Sequence, residues 1–176
     1  MYPTRTIALA LVSGALAACA TTGSTSVSRV DVPAALKAAD NERFAFALGA
    51  AGVQIYECRV QDGKAAWAFV APEADLLEGG KKAGIHYAGP TWEVGASKIV
   101  GTVKSRADAP SGAADIPWLL LATKSTGGPG RLAEVTSIQR VRTVGGVAPA
   151  SGCNDAAAGK RERVPYTADY YFFVRA

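Results

Sequence analysis

Apolar and polar positions alternate over much of the chain after residue 40. Residues 44–48 (FAFAL) alternate large and small side chains, residues 53–60 (VQIYECRV) are rich in β-branched and aromatic types, and residues 65–70 (AAWAFV) repeat that character. Such segments predict strands, because successive side chains leave a pleat on opposite faces and one face can then bury. Asp62-Gly63 between the second and third is a hairpin signal, so the three are expected as successive antiparallel strands. Further strands are expected at 91–94, 98–103, 118–122, 135–144 and 166–174. Turn-forming clusters separate most of them: 78–80 (EGG), 108–112 (DAPSG), 127–130 (GGPG) and 145–146 (GG).

Eight or so strands without alternating long helices predict an all-β domain, an antiparallel sandwich or barrel, and the pattern does not choose between the two closures. One short helical turn is expected near 32–40, with Pro33 at its first position. Residues 118–121 (WLLL) do not alternate, which predicts a strand buried on both faces. Gln139 and Arg140 interrupt an otherwise apolar strand; they could place polar groups in a pocket, but a solvated face is the favoured expectation.

The amino terminus has a different pattern. Arg5 precedes an apolar run at 7–18 that is too short to span a bilayer as a helix, so residues 1–18 are expected to be a secretory signal. The run ends in Leu16-Ala17-Ala18-Cys19 and resembles a bacterial lipoprotein signal, in which the cysteine is lipidated and becomes the first residue. Two or three acyl chains anchor a protein stably without a spanning segment. Residues 19–31 are then a tether, and residues 32–176 a single β domain. Ala20 and Thr21 lack the aspartate of an inner-membrane retention signal, so by resemblance the periplasmic face of the outer membrane is expected. Export also changes the reading of the other two cysteines. Cys58 and Cys153 form an even pair in an oxidising compartment, and a disulfide between them is expected.

Charge adds little about partners. The net charge is +4, but the basic residues are scattered, and the densest group, 160–163 (KRER), is interrupted by an acid and expected as a solvated turn. No basic stripe is interleaved with aromatic residues, so nucleic acid is not an expected partner. The membrane is, through the lipid.

Several blocks together resemble a known family: 52–58 (GVQIYEC), 71–76 (APEADL), 84–93 (GIHYAGPTWE), 116–121 (IPWLLL), 138–146 (IQRVRTVGG) and 165–170 (PYTADY). In that order they are similar to the secreted bacterial and fungal proteins grouped as domain-of-unknown-function family 3455. The resemblance runs from about residue 32 to the carboxyl end. It implies secretion and a shared domain, and carries no catalytic residues or substrate with it.

Signatures for nucleotide loops, zinc proteases, serine hydrolases and paired-cysteine metal sites are missing from the sequence, and no cofactor is expected. A single histidine excludes two-histidine metal sites, and no metal is expected. That histidine, His86, stands with Tyr87, Trp92 and Glu93 around Gly89-Pro90, and this quartet is the candidate ligand site; the competing and favoured reading is an aromatic-lined hairpin whose His86 satisfies a backbone carbonyl and whose Trp92 fills the core. An imidazole, a phenol, an indole and a carboxylate offer a proton acceptor, a hydrogen bond, a stacking surface and a charge. Because side chains alternate, His86 and Trp92 cooperate only if the Gly-Pro turn brings them into register. Glu73 and Asp75 share a strand face by their spacing, but the adjacent Pro72 argues against a glycosidase-like pair. The function expected is a noncatalytic envelope module that binds a small molecule, glycan or envelope protein. The alternative is a hydrolase-like enzyme using His86 with Glu93 or Glu57.

Overall fold

A computed structural model describes residues 29–176. The expected signal segment, Cys19 and most of the tether lie outside the described residues. Eight strands follow one another: β1 (Glu42–Gln61), β2 (Lys64–Glu78), β3 (Lys81–Tyr87), β4 (Thr91–Val94), β5 (Ser97–Ala107), β6 (Trp118–Ser125), β7 (Val135–Gly145) and β8 (Arg161–Arg175). Each pairs antiparallel with the next, and β8 returns to pair with β1, so the sheet closes into an up-and-down barrel. Closure leaves no edge strand exposed.

The strands are fewer and longer at the start than the pattern suggests. Residues 44–48 and 53–60 belong to the single twenty-residue β1, not to two strands. That length is what closes the barrel, because β1 pairs with β2 from Gly49 to Gln61 and with β8 from Glu42 to Glu57. The Asp62-Gly63 hairpin forms as expected, with φ of 51° and 70° at its two turn residues, the left-handed conformation that a tight two-residue β-turn requires. Strand β3 was not among the expected strands. The expected turn forms at Ala34–Leu36, with Pro33 just before it rather than at its first position, and two more single 3₁₀ turns occur at Gly112–Ala114 and Asp155–Ala157.

Two apolar clusters hold the domain. Inside the barrel, Leu48, Leu76, Ile99, Leu132, Ile138 and Phe172 pack together. Leu132 comes from the β6–β7 loop and plugs that end, while its neighbour Arg131 lies 4.0 Å above the Phe46 ring and pairs with Glu78. Outside the barrel, Leu36 from the segment before β1 covers Trp118, Leu120, Val141, Tyr171 and Phe173. Residues 118–121 are therefore buried on both faces as expected, with Trp118 and Leu120 in the outer cluster and Leu121 in the inner one.

Two expectations fail for identifiable reasons. Gln139 and Arg140 do not face solvent. A register shift between Val135 and Ser137 puts Val135 and Ile138 on the same inner face despite their three-residue spacing, and Arg140 follows Ile138 inward. Gln139 points outward but lies under the covering segment, where its Nε2 donates to the Leu36 carbonyl at 2.7 Å. Residues 161–163 are not a turn but the entry to β8, with Lys160 just before it, and Arg161 pairs with Glu57 and Arg163 with Glu73 on the outer surface.

The expected disulfide is present. Cys58 on β1 joins Cys153 in the long β7–β8 connection, 95 residues away. Backbone bonds from Cys58 N to Lys160 O and from Gly159 N to Cys58 O, with Trp67 Nε1 donating to Ser151 O, hold that connection against the β1–β2 hairpin.

Candidate functional site

At the end opposite Leu132 the barrel is not filled. A cavity of about 340 Å³ opens there, walled by Phe69, Val70, Pro72, Pro90, Val103, Leu119 and Leu121, with Gln54, His86, Trp92, Arg140 and Tyr170 among them. The size falls at the low end of the usual range for small-molecule sites. Phe69 and Val103 are 52% and 51% exposed, so the entrance itself is apolar.

The β3–β4 hairpin supplies the polar wall. His86 and Trp92 stand directly opposite each other in its register, and their rings stack at 4.3 Å with an interplanar angle of 19°. The turn at Gly89-Pro90 does therefore bring the two into register. Tyr170 of β8 meets both rings edge-on, at 5.1 Å from His86 and 5.3 Å from Trp92. Gly101 on β5 makes room for the indole, since a Cβ there would lie 2.8 Å from its Cζ3 atom.

Strand alternation divides the sequence-predicted quartet. His86 and Trp92 face inward, 3% and 1% exposed, and line the cavity. Tyr87 and Glu93 leave the same hairpin on its outer face, where the Tyr87 hydroxyl donates to Glu93 Oε2 at 2.8 Å. That hydrogen bond holds the Tyr87 phenol above its ordinary pKa. Glu57 also lies outside, paired with Arg59 and Arg161. Glu73 and Asp75 pair separately with Arg163 and Lys82.

Among the described residues, therefore, no carboxylate serves the imidazole. His86 Nδ1 lies 2.8 Å from the Thr91 carbonyl, which fixes the proton on Nδ1 in the neutral ring and leaves Nε2 as an acceptor. Burial lowers the His86 pKa to about 4, and the Arg140 charge pushes the same way, while the hydrogen bond to Thr91 opposes them. The ring is neutral at physiological pH. Burial also raises the pKa of Tyr56, Tyr166 and Tyr170, so the interior phenols stay protonated.

Sequence reasoning missed Gln54 and Tyr170 and misplaced Arg140. Gln54 had a signal, since it shares parity with Leu48, Ala50, Tyr56 and Cys58, all of which are buried. Its Nε2 is buried without a hydrogen-bond partner, although the amide lies close enough to the Tyr166 phenol to influence its ionisation. Trp92 Nε1 is likewise buried and unpartnered. No group of three or more His, Cys, Asp or Glu residues that could hold a metal occurs among the described residues.

A family described as protein of unknown function (DUF3455) matches residues 38–174. The chain belongs to this family. Every residue of the cavity lies within the matched span, so the site is part of the DUF3455 domain. No curated protein and no solved structure is detectably similar to this DUF3455 chain.

Proposed function

We propose that this chain is a lipid-anchored, noncatalytic binding protein of the bacterial cell envelope, facing the periplasm from the outer membrane, which holds one small and largely apolar molecule in the open end of its barrel. The observation that carries the reading is the cavity: one end of the barrel interior is packed solid, while the other is left open behind an apolar entrance and walled by aliphatic and aromatic side chains. An eight-stranded barrel is just wide enough either to fill itself or to hold one small ligand. The polar groups inside favour binding over turnover. His86 is neutral and tied to a backbone carbonyl, with every nearby carboxylate engaged on the outer surface. The walls also argue against a glycan, whose many hydroxyls need polar partners at each step.

Blocking the entrance tests the cavity. The neutral dye N-phenyl-1-naphthylamine should bind saturably with one site per chain and brighten on entering. Val103→Trp should abolish that signal without lowering the melting temperature, because Val103 is half exposed and a larger side chain there meets no packed core. Saturable binding that survives Val103→Trp, or none in the native protein, would overturn the reading.

The anchor rests on the Leu16-Ala17-Ala18-Cys19 junction. A fatty-acid analogue fed to the cells should label the native protein and leave the Cys19→Ser variant unlabelled. Equal labelling of both would remove the anchor and leave the cavity argument intact.

A further inference from the structure

Arg140 is the one ionised group lining the cavity at neutral pH, since the His86 imidazole is neutral there and no carboxylate is among the lining residues. It has no ion-pair partner among the described residues. Its Nε and Nη2 atoms donate to the Pro117 carbonyl at 3.2 and 2.7 Å, and the guanidinium also reaches the Tyr170 hydroxyl, a neutral partner that does not offset its charge. A guanidinium has five N–H donors in a planar fork, so donors remain after those contacts. The charge is not screened by a partner, and it reaches Tyr56, His86, Tyr166 and Tyr170 around it. A half-buried cation without a counter-ion is costly unless something else supplies the negative charge.

The rest of the polar lining has the same sign of need. Gln54 Nε2 and Trp92 Nε1 are hydrogen-bond donors buried without an acceptor, on residues that line the cavity beside Arg140. A positive charge and two unanswered donors within apolar walls define a ligand by complementarity: an acceptor-rich, negatively charged head on a compact apolar body. A planar carboxylate suits the guanidinium fork, and the small volume limits the body to two or three rings or a short acyl chain.

We propose that the barrel cavity selects small apolar carboxylic acids in their ionised form, with Arg140 as the group that recognises the carboxylate. This rests on the reading of the cavity as a binding site and adds the chemical class of its ligand. Arg140 acts as receptor, Gln54 and Trp92 lie beside the head group, and Phe69, Val103 and Leu121 enclose the body. A cationic ligand is excluded by the same charge.

The test compares two probes of one shape, 2-naphthoate and 2-naphthamide, titrated at pH 7 by calorimetry into the native protein. A charge-assisted hydrogen bond in a partly dry site should make the carboxylate bind roughly tenfold to a hundredfold more tightly than the amide. Arg140→Gln should remove that preference by bringing the affinity for the carboxylate down to that for the amide. Titration of the native protein decides the matter even if the variant fails to fold, because equal affinity for the two probes would overturn the proposal by itself. A preference that survives in folded Arg140→Gln would overturn the role of Arg140. Binding of the amide alone would refute the ligand class and keep the cavity as a site. Binding of neither probe would bring down both this inference and the reading on which it rests.

Discussion

Replacing Cys58 and Cys153 together by alanine should lower the free energy of unfolding by roughly 4 to 5 kcal/mol, which would make this the most damaging pair of substitutions considered for the domain. The loop that the disulfide closes spans 95 residues, so in the chain-entropy account the reduced denatured chain gains much more freedom than the native barrel does. The native geometry should survive the change. The backbone bonds between Cys58 and residues 159–160 remain, and so does the hydrogen bond from Trp67 to Ser151. Urea unfolding of the native and double-alanine proteins measures the difference, and non-reducing peptide mapping checks that the bond is formed in the mature protein. A loss below about 1 kcal/mol would mean that the denatured chain already keeps β1 near the β7–β8 connection, so that closing the loop constrains little.

Acid should destabilise the barrel through His86. The unfolded imidazole titrates near 6.5 and the folded one near 4, so between these values the unfolded chain binds the extra proton. The contribution is complete above pH 6.5, shrinks as the pH falls through the window, and is gone below about 4. A separation of about 2.5 pH units corresponds to roughly 3 kcal/mol. The surface carboxylates titrate over part of the same range, so the measurement must be a difference. His86→Phe keeps a ring against Trp92 and cannot take up a proton. The advantage of the native protein over this variant should therefore decline by roughly 3 kcal/mol between pH 7 and pH 4 in urea titrations. Parallel stability curves for the two proteins would show that the imidazole titrates normally and is open to water. Protonation would also bring a second positive charge beside Arg140, whose own charge already opposes it.

Local pattern carried much of this architecture. Period-two alternation marked most strands, Asp62-Gly63 marked the first hairpin, and the even cysteine pair in a chain expected to be exported marked the disulfide. The resemblance in ordered blocks pointed to the DUF3455 family. The pairing of His86 with Trp92 was legible as a condition on the Gly-Pro turn, and the hairpin meets it.

Alternation states which residues share a face, and it is silent on which face turns inward. For that reason the quartet at 86–93 was read as one site, whereas the barrel keeps His86 and Trp92 and turns Tyr87 and Glu93 outward. A register shift breaks even the shared-face rule, and the one in β7 carried Arg140 inside. Closure was also beyond local pattern, because sandwich and barrel use the same strands and differ only in whether β1 meets β8 across more than a hundred residues of chain. Residue pattern and ordered blocks were enough for an all-β, disulfide-containing domain and for its family. Barrel closure, and a guanidinium that lines an apolar cavity with no ion-pair partner among the described residues, came from the three-dimensional structure alone, because both depend on long-range register, which no short stretch of residues encodes.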